Sequence, residues 1–453
     1  MATSGDYAPF SYNRTASTPG SAPALEGFDI EVARLFAVDR GYRLEFVTFR
    51  WPDLSRDLAA ASFDVAMSGI TRRVERSVGG RFSVPVAATY AIAVTWKASG
   101  ITNFEELDRP HRRVAVNAGG HLERVAREAL KRADVVSLAD NDAVRMALLD
   151  RTFDAVVTDN FEARVWTEPM RDAVRIGPLS DDRKAYLLPA ERRELAMELD
   201  LWILAREKDG TLENLRRRHF GEEPSSSPTG ATRATAEPFA ALADAVAERL
   251  ALMPLVYEAK KAAGSPVEDT AREEVVYEEA QRAVAAAFAA RQAMFAGGAK
   301  PAPAEVPPQP DLVRNLFQAM IAAGKDAQRA LAEADARQRP GVVKFRPPAG
   351  EEPTTEGDAT AAATLAAPSA VPTPADEAKR NRAAEELSSK IRPAIGRLSD
   401  KIACILVSMD EEITLREAKA RIGNLLAPHR VKAEYTDTIA AAAAQISSNR
   451  AGK

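Results

Sequence analysis

Two groups of residues in this sequence could carry chemistry. In the first half, the apolar run FDAVVT ends in Asp159, and the next residues, DNFEAR, place Glu162 three positions further on. A buried strand delivers its C-terminal end to whatever site the fold builds, so both carboxyl groups belong at a strand end where a helix begins. An acid at 162, where an apolar side chain would pack better, could donate a proton to a leaving group if an apolar cleft raises its pKa. Arg76 follows Ser68 by eight residues and could fork onto a carboxylate. The strand end from Ser68 to Thr71 is expected to offer backbone amides that suit an anion. In the second half, Phe239, Leu242, Val246, Arg249, Met253, Val256 and Lys260 recur at steps of three and four, which places all seven on one helical stripe. Five are apolar and two are cations. An unpaired buried cation is expensive, so that stripe should face an anion. Asp269 and Arg272 stand three apart with Glu273 beside them. Gly324 and Gln328 stand four apart on a face continuous with Phe317 and Met320. Charges on a helix usually mark a solvated face, but here they interrupt an apolar one.

The elements that must position these residues divide the chain. With 453 residues there is room for two or three domains. Residues 1–221 read as α/β, with strands such as RLEFVTF, FDVAMSGI, RRVAVN and FDAVVT alternating with helical patterns such as FDIEVARLFAVDRG and LERVAREALKRA. Residues 222–238 read as a flexible linker. From 239 to 450 the composition turns to Ala, Glu, Arg and Leu at helical spacing. It is cut by proline-rich stretches at 297–310 and about 339–376, the second expected to be disordered. A net charge of -4 gives no bulk electrostatic reason to expect a nucleic-acid partner. The single cysteine, Cys404, rules out an intramolecular disulfide, and the four histidines show no metal-ligand spacing, so no metal is expected. There is no 18-residue apolar run to span a membrane, and the first residues carry no signal-peptide pattern.

The phrases GDYAPFSY, GFDIEVARLFA and FDVAMSGITRRVERSVGGRFSVP resemble the amino-acid-binding class of periplasmic solute-binding proteins, over essentially all of residues 1–221. The resemblance implies two α/β lobes, roughly 1–93 plus 190–221 and 96–187, with a ligand between them and a hinge crossed near Val94 and Leu188. It also implies that Tyr7 and Trp51 flank the ligand and that Asp159 holds the place that grips an amino group. At Glu162 those binding proteins usually carry an apolar residue. The set WPDL, MSGIT, NAGG, TDNFEAR and KAYLLP is similar to the cyclohexadienyl dehydratases, enzymes built on the same scaffold. In that family the glutamate of D-x-x-E-A-R is the general acid, which makes Glu162 the expected proton donor as prephenate loses carbon dioxide and its ring hydroxyl. Substrate binding is then expected from Tyr7, Trp51, Ser68, Thr71, Arg76, Asn117, Asp159 and Lys184, with Arg76 and Lys184 holding carboxylates. Family members carry Asn-Pro-Gly-Gly-Thr-Asn where this chain has Asn117-Ala118-Gly119-Gly120-His121-Leu122, so a histidine stands in place of a hydroxyl.

From Arg249 it is eleven residues to Lys260, nine to Asp269 and three to Arg272, with Gln328 further on. This spacing resembles the all-α chorismate mutases, and ERLALMPLVYEAKKAAGSPVEDTARE is most similar to their exported gamma class. There a later arginine completes the site, matched here by Arg392 of IRPAIGRL; the family often has Ser or Thr at the position of Gly324. The implied reaction is the pericyclic rearrangement of chorismate to prephenate. It needs no cofactor, only a cage that holds a dianion in its compact conformer and stabilises charge on the breaking ether oxygen. Arg249, Arg272 and Arg392 are expected to hold carboxylates, Lys260 and Gln328 to donate to the ether oxygen, and Asp269 or Glu273 to accept from the ring hydroxyl. Together the halves imply a multidomain, bifunctional enzyme that makes phenylpyruvate, or phenylalanine if arogenate is accepted. Both resembled families are typically periplasmic or exported, and a homo-oligomer is expected. Two alternatives stand beside this: an amino-acid-binding or sensory protein fused to a helical module, and a mutase with an inactive dehydratase half.

Overall fold

The computed structural model describes residues 1–14, 24–221, 237–296, 306–338, 374–410, 413–427 and 431–451. Most of the expected linker and nearly all of the tract at 339–376 lie outside the described residues.

The N-terminal half consists of two lobes. In the first, Ala2–Thr3 pairs in parallel with Val47–Thr48, and single bridges at Ala66 connect it to Leu187–Pro189, which pairs with Gly80–Phe82. The hydrophobic helix Phe28–Arg40 packs on this sheet through Phe28, Ile30, Val32 and Phe36. The second lobe is a five-stranded sheet in the order Asp134–Leu138, Arg113–Asn117, Ala155–Asp159, Ala91–Trp96, Ala173–Ile176. Its central strands are buried on both faces and so read as unbroken apolar runs. Between the lobes, Ala87–Thr89 pairs with Asp182–Lys184. A hinge is expected from the sequence near Val94 and Leu188; both of these residues lie within paired strands. Val94 is central in the second lobe's sheet, opposite Val156, and Leu188 is paired in the first lobe's sheet. Both are apolar residues in apolar runs, and a run alone does not tell which sheet will take it.

The C-terminal half is helical. The stripe from Phe239 to Lys260 is not one helix: Pro238–Ala251 stops and Met253–Ala263 begins after Leu252. Pro254 explains the break, since its ring clashes with a carbonyl one turn back and it has no N–H to give. Long helices Thr270–Ala296 and Pro310–Gln338 follow, then Pro374–Glu386, a single wide turn Leu387–Ile391, Arg392–Leu406, Leu415–Leu426 and Ala433–Arg450. At the wide turn the Arg392 amide reaches back five residues to the Leu387 carbonyl; such turns recur at functional sites.

The halves share one apolar core, in which Leu199, Trp202 and Ile203 join Phe239, Leu242, Phe317 and Ile439. A polar seam runs beside it. Arg72 meets Asp244 at 2.8 Å, and Glu248 accepts from Ser77 Oγ at 2.8 Å and from Lys401 Nζ at 2.6 Å. Arg397 donates to the carbonyls of Ser77, Val78 and Gly80. No helix among the described residues is long and apolar enough to cross a membrane.

Candidate active sites

The cleft of the N-terminal half collects residues from both lobes and the hinge. Tyr7, Trp51, Thr71 and Arg76 from the first lobe, Asn117, His121 and Asn141 from the second, and Lys184 from the hinge strand line one cavity. Lys184 Nζ donates to Tyr7 Oη at 2.8 Å and Thr71 Oγ1 at 3.0 Å, and lies 3.4 Å from Asp159 Oδ2. Trp51 stands edge-on to Tyr7 and donates to Asp6. Asn117 donates to Asn141 at 2.7 Å. Gly69, at φ +60, lets the strand end approach the aromatic loop: a Cβ there would come within 2.8 Å of the rings of Tyr7 and Phe10.

Arg76 is buried within the short helix Val74–Gly79, with Nη1 donating to the Thr71 carbonyl. No carboxylate lies within ion-pair distance of it among the described residues. Burial, helped by Arg73, lowers its pKa to about 10, which still leaves it charged at neutral pH. A buried guanidinium facing a cavity without a counter-ion is matched to an anion.

Asp159 and Glu162 are not on that cavity's wall. Tyr7 Oη, from the opposite lobe, hydrogen-bonds Asp159 Oδ2, and Asp159 Oδ1 caps the helix Asn160–Thr167 by accepting from the amides of Phe161 and Glu162. Glu162 is 1% exposed. One of its oxygens accepts from Thr158 Oγ1, and the other is buried without a partner. Burial, then the neighbouring Asp159, pushes its pKa well above the ordinary glutamate value. The cavity is about 30 Å³. The Tyr7–Asp159 contact joins the two lobes beside that cavity.

The strand end departs from expectation at two points. Ser68 is fully buried off the wall, where its hydroxyl is taken up by Ser4 at 2.8 Å and Ser11 at 2.6 Å. The Gly69 amide is not free either, since it donates to Asp29 at 2.5 Å. A buried amide must find an acceptor, and Asp29 of the helix above supplies it.

In the C-terminal half, one cavity of about 110 Å³ is lined by Arg249, Lys260, Asp269, Arg272, Glu273, Gln328 and Arg392, drawn from five helices and the loop before Thr270. Arg249 is 7% exposed, its Nη1 has no hydrogen-bond partner, and it forms no ion pair among the described residues. Burial, then the charge of Arg272, lowers its pKa to about 10. Gln328 Nε2 donates to the Gly324 carbonyl at 3.3 Å and its oxygen is unpartnered. Lys260 donates to the Val267 carbonyl at 2.8 Å. Asp269 accepts from the Arg272 amide at 3.0 Å and lies 4.0 Å from Arg392. A side chain at Gly324 would press on Met253, whose sulfur is 3.0 Å from where its Cβ would sit. Lys325 also lines the cavity, 3.0 Å from Glu273, and was missed. Its helical position three before Gln328 was the available signal.

Residues 1–222 match the model of bacterial extracellular solute-binding proteins, family 3, and residues 240–329 match chorismate mutase type II. The chain is 32% identical over 227 residues to the cyclohexadienyl dehydratase of Pseudomonas aeruginosa, covering 49% of this chain and 82% of that protein. It is 25% identical over 241 residues to the arginine-binding extracellular protein ArtP of Bacillus subtilis, covering 49% and 86%. Among solved structures, an ancestral amino-acid-binding protein described as a precursor of cyclohexadienyl dehydratase is 28% identical, with a TM-score of 0.45 over 48% of this chain and 93% of that one. Through its N-terminal half the chain belongs to the cyclohexadienyl dehydratase family, and behind that half it carries a chorismate mutase type II domain.

Proposed function

We propose that the chain converts chorismate to prephenate in its C-terminal half and prephenate to phenylpyruvate in its N-terminal half. The observation that supports this reading is the pair of buried arginines, Arg249 and Arg76, each lining its own cavity and neither in an ion pair among the described residues. The product of one reaction is the dianionic substrate of the other.

In the mutase half, Arg249, Arg272 and Arg392 hold the carboxylates, and Lys260 and Gln328 donate to the ether oxygen as its bond breaks. Donors set in place before reaction cost no reorganisation when the charge develops. Burial lowers the Lys260 pKa from its ordinary value. The charged lysine is the active form, so kcat/KM for chorismate should be flat from about pH 5 to 8 and fall on the alkaline side below the usual lysine range. The kcat limb, which reports the complex, should lie higher because the bound dianion favours the charge. Initial rates across pH check this, and a steep rise toward acid would mean that a carboxyl group sits at the ether oxygen.

In the dehydratase half, Arg76 holds one carboxylate. Once the lobes part, Glu162 gives its proton to the ring hydroxyl, which leaves as water. The electron pair of the breaking C–CO₂ bond enters the ring as carbon dioxide departs. A pure binder gains nothing from a protonated carboxyl buried behind the ligand, which weighs against the amino-acid-binding alternative. The match to an extracellular family supports export.

Arg76→Ala tests the two-site reading. Prephenate turnover should fall roughly 10- to 100-fold, in keeping with about 1.5–3 kcal/mol for a charged hydrogen bond. Chorismate consumption, followed separately, should hold. A parallel loss of both would show that the sites are not independent.

A further inference from the structure

His121 opens the helix His121–Ala129, and its ring lines the same cavity as Arg76, Lys184 and Asn117. Its Nε2 lies 2.7 Å from Asp182 Oδ1, and the two side chains are 9% and 6% exposed. Its Nδ1 is buried without a partner, a cost that a ligand meeting it would remove. The other Asp182 oxygen accepts from Ser180 Oγ at 2.7 Å. Burial works to neutralise Asp182, but its hydrogen bonds from His121 and Ser180 outweigh burial and hold its pKa below the ordinary value. An ionised Asp182 sets the tautomer: Nε2 carries the proton, and the buried Nδ1 of this cavity-lining ring keeps its lone pair. Burial lowers the His121 pKa against the pull of Asp182, and Lys184 and Arg124 push the same way. Without a ligand the ring is therefore uncharged at neutral pH.

A dianion reverses that balance. Lys184 already lies 3.4 Å from Asp159, which leaves Arg76 as the cation on the wall with no carboxylate within ion-pair distance among the described residues. A carboxylate brought to Nδ1 meets a lone pair, unless the ring first gains a proton. We infer that His121 is a proton-coupled anchor for a substrate carboxylate: one proton is taken up as the dianion binds, Nδ1–H donates to it, and Nε2–H stays on Asp182. The sequence supplies the histidine where the family carries a hydroxyl, and the fold sets the Asp182 carboxylate behind it. The inference rests on the reading of this half as the prephenate site.

The test is the KM for prephenate from pH 6.5 to 8.5 in the full chain, its His121→Gln variant and its Asp182→Asn variant. In the parent, KM should rise with pH, approaching tenfold per unit above the free ring's pKa, with kcat changing less. His121→Gln should raise KM roughly 10- to 100-fold at pH 6.5 and flatten its pH dependence. Asp182→Asn should move the rise to lower pH, because the imidazolium loses its partner; a merely structural role would not move it. Chorismate consumption by each variant reports that the chain is folded. A parent KM that is flat across the range, or a His121→Gln variant that keeps the slope, would overturn the inference. A parent chain that makes no phenylpyruvate from prephenate would overturn the reading beneath it.

Discussion

Glu162→Gln turns the chain into a producer of prephenate. The amide keeps the shape of the side chain and can still accept from Thr158, but it has no proton to give to the leaving hydroxyl. General-acid contributions are about 10²–10⁴-fold, and the turnover of prephenate should fall by that much. Chorismate should still be consumed, since the mutase cavity is built from other helices. The mixture fed chorismate should therefore stop at prephenate, read at neutral pH because prephenate aromatises in acid. A variant that forms phenylpyruvate at the parent rate would make Glu162 structural. Stability gives a second readout. The folded-state pKa of Glu162 is raised above its unfolded value by burial and Asp159. Its stability contribution is thus present below the ordinary glutamate range and is lost as pH rises through the folded pKa. The glutamine cannot titrate, so thermal melts of the variant should lose that decline.

Arg249→Met should separate stability from activity. The guanidinium is buried beside Met253 and Val256 with no ion-pair partner among the described residues. Replacing a buried charge with an apolar chain of similar length is often neutral or stabilising, so the melting temperature should hold or rise. The mutase should suffer, because truncating one partner of a buried, hydrogen-bonded charge pair costs about 2–5 kcal/mol. That is about 30- to 5,000-fold in kcat/KM for chorismate. Prephenate turnover, measured on its own, should be unaffected. A fall in melting temperature with chorismate turnover intact would mean that Arg249 serves the fold rather than the substrate.

Much of the mutase cavity was legible because helical spacing is metric. Residues three or four apart in or just before one helix, such as Asp269, Arg272 and Glu273, have few places to go, whereas Arg249 and Lys260 reach the same cavity from two helices that break at Leu252. Arg392 lies further along, yet it arrives there through a wide turn just ahead of a proline that ends regular pairing. The cleft was less legible. Ser68 sits in the expected motif, but the burial of its hydroxyl was settled by Ser4 and Ser11, which lie 64 and 57 residues away. Lys325 was overlooked because a lysine on a helix usually faces water; here Glu273, from another helix, draws it in.

The sequence by itself determined the order of the two halves, the α/β and all-helical characters, and which side chains could act as acid, cation or donor. Those follow from local periodicity and side-chain chemistry, which need no knowledge of distant contacts. Only the tertiary structure decided which lobe each apolar strand joins, that Tyr7 closes over Asp159, and that Asp182 stands behind His121. It also decided that the helix carrying Arg76 is pinned from its far side, where Ser77 donates to Glu248, the neighbour in sequence of Arg249. Such pairings join residues separated by 61, 152 and 171 positions. They form because a buried polar group must find its partner wherever the chain brings one within reach, and no local pattern records where that will be.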